Sequence, residues 1–170
     1  MILGMSLSTF TSVHVILSLV GIFAGLVVLF AMFRSSMLRS WTAIFLVTTI
    51  LTSVTGYFFP VDKVLPSHIV GALSLVALAV AVLAYYRYRL GGSWRWIYVV
   101  TAIVALYFNV FVAVVQAFAK ISFLHSAAAT QSDPPFVVAQ LVVLVLFIVL
   151  GVVAVRSFHP RVASPASRAA

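Results

Sequence analysis

The chain has 170 residues, 65% of them hydrophobic and 7% charged, with a formal net charge of +8. A soluble domain is roughly a quarter charged, so this composition excludes one, and the solvent for most of the chain is lipid. The absence of cysteine excludes disulfides, Cys-ligated iron–sulfur clusters, covalently attached c-type haem and thiol catalysis.

Five apolar runs of about 20 residues each use most of the chain, which leaves too little for a soluble catalytic domain on either side. The expected fold is all-α, a polytopic membrane helical bundle with five transmembrane helices. Span one is expected at Val13–Phe33. Met1 to Ser12 contain no Lys or Arg and Arg34 follows the run, so it reads as a permanent span rather than a cleaved signal. His14, Ser18, Gly21 and Gly25 share one face of it at spacings of four, three and four. Small residues on that face let helix backbones approach closely in lipid.

Span two is expected at Trp41–Phe59, with Trp41 at the interface and Pro60 ending it. Its outer half is dense in hydroxyls: Thr48, Thr49, Thr52, Ser53 and Thr55. Ser67 is the expected N-cap of span three, His68–Tyr86. Span four is expected from Trp96 to Phe118, with a helical extension to Leu124 that places Gln116 and Lys120 four residues apart on one face. Asp133 followed by Pro134 reads as an N-cap and a proline at the first helical position, opening span five at Phe136–Val155. The domain reading is therefore a five-span unit over residues 1–156 and a disordered, basic cytoplasmic tail over 157–170.

The charges between these runs are partitioned. All eight arginines (34, 39, 87, 89, 95, 156, 161 and 168) fall in alternate connections and the tail, whereas Asp62, Lys63, Lys120 and Asp133 fall in the others. Cytoplasmic loops retain Lys and Arg, so the arginine side is cytoplasmic, the N-terminus outside and the C-terminus cytoplasmic. The arginines flank apolar runs, where they set topology and meet anionic headgroups. They form no basic, aromatic-interleaved surface for nucleic acid.

Few residues carry chemistry. His14 and His68 lie near the outer ends of parallel spans, at matching depth, and two such imidazoles could ligate a haem b iron from opposite faces. The blander reading is a pair of half-solvated histidines at helix ends. Asn109, Gln116 and Lys120 share a face of span four. A buried amide in hydrocarbon needs a hydrogen-bond partner, so Asn109 is expected to face inward onto the hydroxyls of span two. One reading takes these polar groups as interhelical glue. The sharper one is a polar pocket open to the outside, bounded by His14, His68, Asn109, Gln116, Thr52, Thr55 and Gln140. No paired carboxylates, Ser–His–acid set, zinc-ligand spacing or phosphate-binding glycine loop is visible.

Leu51-Thr52-Ser53-Val54-Thr55-Gly56-Tyr57-Phe58-Phe59-Pro60, Leu65-Pro66-Ser67-His68-Ile69-Val70-Gly71, Tyr107-Phe108-Asn109-Val110-Phe111 and Thr130-Gln131-Ser132-Asp133-Pro134-Pro135-Phe136 resemble a family of small, uncharacterised bacterial integral inner-membrane proteins with multiple spans. The resemblance runs through nearly the whole chain. It implies the bacterial inner membrane as location and brings no substrate or activity. A looser likeness, of layout alone, is to helical membrane cytochromes with histidines at span ends.

The sequence thus points first to a non-enzymatic membrane component, an accessory subunit or a binder of a small lipophilic ligand on the outer side. The alternatives are a b-type haem electron-transfer protein using His14 and His68, and a small transporter acting as an oligomer. The expected partners are membrane lipids and either another membrane protein or further copies of the chain, with no nucleic acid.

Overall fold

The computed structural model describes residues 2, 4–60 and 66–160. Asp62, Lys63, Arg161 and Arg168, and the tail expected beyond His159 and Pro160, lie outside the described residues. Those described are all-helical apart from turns and one isolated bridge between Ile2 and Met5.

The first helix, α1, spans Leu7–Phe33 and starts six residues before the expected span. Ser6 caps it, accepting from the Thr9 N–H at 3.1 Å. The polar stretch that follows stays helical because Thr11 and Ser12 donate to the Leu7 and Ser8 carbonyls one turn back. Helix α2 spans Arg39–Gly56 and ends three residues earlier than expected, with the Tyr57 and Phe58 N–H groups closing onto Val54 and Thr55. Helix α3 spans Pro66–Val82 and continues into one π turn, Leu83–Arg87. Ser67 is inside α3 rather than capping it, because Pro66 takes the first helical position and needs no N–H there.

Helix α4 spans Trp94–Lys120. The expected run to Leu124 is broken: Ile121 is extended (φ −90°, ψ 114°), and a separate short helix, α5, covers Ser122–Ala127. Helix α6 spans Pro134–Ser157. Asp133 has the expected N-cap backbone, but its carboxylate turns back to accept from the Thr130 N–H at 2.8 Å and the Thr130 hydroxyl at 2.9 Å. Those two bonds hold the exposed Asp133 carboxyl below the usual carboxylate range.

Helices α1 to α4 form an antiparallel ring in which each packs on the next and α4 returns to α1, while α6 packs outside the ring on α4 and, less extensively, α1. One end carries Arg34, Arg39, Arg87, Arg89, Arg95 and Arg156, and the other carries Lys120 and Asp133. We call these the inner and outer ends. The inner half is a dry core of Ala24, Val28, Phe45, Leu46, Leu78, Val99, Ala102 and Leu106. At the inner end, Arg95 donates to the Val155 and Phe158 carbonyls, satisfying the last turn of α6. Beyond Arg156, Ser157 is helical and Phe158 is buried beside Tyr98.

Among the described residues, four helices are long and apolar enough to cross a membrane: α1, α3 with its π turn, α4 and α6. Helix α2 is not among them. It has 18 residues, opens on Arg39 and carries the hydroxyl cluster that lowers its hydropathy.

Candidate functional site

Where the inner half of the ring is filled, the outer half is hollow. A cavity of about 380 Å³ lies between α1, α2, α3 and α4, within the size range of small-molecule sites. Its walls follow from spacing. On α1, His14 and Ser18 stand above Gly21 and Gly25, and those glycines draw α1 against its neighbours. A Cβ on Gly21 would meet Thr49 Oγ1 at 3.0 Å and Asn109 Nδ2 at 3.1 Å. On α3, His68, Gly71 and Ser74 are three residues apart and share a face. On α4, Asn109, Gln116 and Lys120 line the cavity together.

His14 and His68 both line this cavity. The His14 Nδ1 is 2.8 Å from Thr55 Oγ1. The Thr55 hydroxyl also donates to the Leu51 carbonyl at 2.7 Å, which fixes its position beside the imidazole. Phe59 meets the His14 ring edge-on at 5.2 Å. The His68 ring stacks on Tyr57 at 5.4 Å, and the Tyr57 hydroxyl donates to the His68 carbonyl at 2.6 Å.

Asn109 is buried, at 7% exposure, and faces inward. The hydroxyl it meets is on α1 rather than on α2: Ser18 donates to Asn109 Oδ1 at 2.9 Å. Gly21 allows α1 to press onto α4, so Ser18, a turn above, reaches the amide first. The Asn109 Nδ2 and the Thr52 Oγ1 are buried with no hydrogen-bond partner among the described residues. Thr52 and Gln116 are in the wall, whereas Thr55 is behind it, holding His14.

Gln140 is not in the cavity. It is on α6, outside the ring, and its Nε2 donates to the Phe111 carbonyl at 3.2 Å across the α4–α6 seam. The sequence places Gln140 at the right depth but cannot say that α6 is excluded from the ring. Sequence reasoning missed Ser74 and Tyr57, and named Ser53 only among the hydroxyls expected to face Asn109. Ser53 donates to Ser74 at 3.3 Å across the α2–α3 wall. The signal for Ser74 was present, three residues beyond Gly71 on the His68 face.

The described lining contains hydroxyls, amides, imidazoles and one ammonium among apolar walls such as Val15, Leu19, Phe108 and Val112. Among the described residues no group of three or more His, Asp or Glu side chains could hold a metal ion. This arrangement can solvate the polar head of an apolar molecule and donate hydrogen bonds to it. The chain matches no protein-family model, no curated protein and no solved structure.

Proposed function

We propose that the chain is a bacterial inner-membrane protein of the small-protein family it resembles. It crosses five times, with its N-terminus outside and its C-terminus cytoplasmic, and binds a small lipophilic ligand in the outer cavity. The fifth crossing is α2, whose hydroxyls are satisfied within its own helix, Thr48 to Ile44 and Thr55 to Leu51 at 2.7 Å each, or face the ring interior. The orientation rests on the arginines gathered at one end.

The observation that carries the ligand reading is the Asn109 amide. Asn109 lines the cavity, and its Nδ2 is buried with no acceptor among the described residues. Such a donor costs free energy unless a ligand or water accepts from it. The ligand class is therefore an apolar molecule with a hydrogen-bond-accepting oxygen at one end. Ala113 also lines the cavity, and Ala113→Trp would fill it. Organic extraction of purified protein followed by mass spectrometry should recover a non-phospholipid molecule at near one per chain from wild type, and none from Ala113→Trp. The same extract from both proteins, holding only bulk phospholipid, would remove the reading.

Haem b held by His14 and His68 is the second reading. One observation favours it: His14 Nδ1 is oriented by a hydroxyl, as the outer nitrogen of a metal-bound imidazole is. It requires a Soret band in protein purified after haem-replete expression, lost in both His14→Ala and His68→Ala.

A further inference from the structure

A second cavity lies outside the ring, in the seam between α4 and α6, and also holds about 380 Å³. Val100, Ile103 and Val104 form one wall, Leu144, Ile148 and Val152 the other, and Arg156 stands at its inner end. Twelve residues separate Leu144 from Arg156, about 18 Å of helix. The hydrocarbon of one leaflet is about 15 Å thick, half of a bilayer core. The groove therefore runs the depth of the inner leaflet, apolar throughout, with a cation where headgroups begin. Gly151 keeps it deep. A Cβ there would meet Ile103 Cγ2 at 3.7 Å, ordinary contact, so helix packing does not require glycine at this position.

Among the described residues, the charge at the end of the groove has no acidic side chain beside it to neutralise it. The only two acidic residues are Asp62 and Asp133. Asp133 opens α6 at the outer end, and Asp62 lies outside the described residues. Arg156 is exposed, while its neighbour Arg95 is engaged by the α6 carbonyls. An arginine binds a phosphate through paired, charge-assisted hydrogen bonds.

We propose that the α4–α6 groove is a binding site for one anionic phospholipid of the inner leaflet, with an acyl chain between the helices and its phosphate on Arg156. The site is independent of the outer cavity and of whatever that cavity binds. The charge selects the headgroup and the apolar walls hold the chain, so the two halves of the site separate by mutation.

The test uses the full chain in mild detergent, titrated with phosphatidylglycerol or phosphatidylcholine of identical acyl chains and read by native mass spectrometry. Wild type should retain about one phosphatidylglycerol with roughly tenfold preference over phosphatidylcholine, the scale of one charge-assisted contact. Arg156→Gln should bring the two lipids near parity. Gly151→Leu, which fills the groove, should lose both. If Gly151→Leu does not fold, Val104→Phe fills the same groove from α4 and should behave alike. No headgroup preference in wild type, or full lipid retention in the filled variants, would overturn the proposal. So would a dimer that dissociates in those variants while bound lipid stays unchanged, which would assign the groove to a second copy.

Discussion

At Gly25 a Cβ would lie 2.6 Å from Leu106 Cδ1 and 2.9 Å from the Phe45 ring, closer than packed carbon atoms approach. Gly25→Leu should therefore destabilise the ring by about 1–3 kcal/mol, the usual cost of overpacking, and Leu29→Ile by less than ~1.5 kcal/mol. Unfolding by titration with a denaturing detergent checks this. Equal midpoints for Gly25→Leu and wild type would mean that the α1 face is open. The direction of that face was legible in the sequence, because the Ser18, Gly21 and Gly25 spacing marks one stripe. The partner of Asn109 was not legible. Ser18 and the α2 hydroxyls are equally polar and at similar depth, and only the closeness of α1 to α4 at Gly21 decides which one reaches the amide.

Helix ends were read well where a backbone preference dictates them and less well where polarity was used as the guide. Pro134 after Asp133 fixed the start of α6 because proline needs no donor there. Helix α1 starts earlier than expected, at a Ser6 cap, and the hydroxyls of Thr9, Thr11 and Ser12 bond back along the helix or to that cap. The C-terminus of α6 depends on a contact with no local signal, the Arg95 guanidinium on the Val155 and Phe158 carbonyls. Arg95→Gln should loosen the last turn of α6 by about 1–2 kcal/mol. Amide hydrogen exchange should then accelerate at Val155 to Phe158 and stay unchanged at the outer start of α6. Unchanged exchange in the last turn would show that Phe158 packing alone holds it.

The whole molecule is a ring whose inner half is filled and whose outer half is hollow, with one helix packed on its outside. The arginine partition and the apolar runs made the alternation of the helices legible from sequence. The exclusion of α6 from the ring was not legible, because its apolar residues surround the helix and no stripe marks a packed face. That is why Gln140 was assigned to the cavity and stands instead in the seam. The absence of cysteine makes the central claim, a five-crossing bundle with an outward-facing cavity, open to one direct measurement. Single cysteines are placed at Gln116, in the cavity wall, and at Gly91, in the exposed turn of the arginine end, and intact cells are treated with a membrane-impermeant maleimide. The account predicts labelling of Gln116→Cys in intact cells and of Gly91→Cys only after permeabilisation. Labelling of Gly91→Cys in intact cells, with Gln116→Cys protected until the membrane is opened, would contradict it.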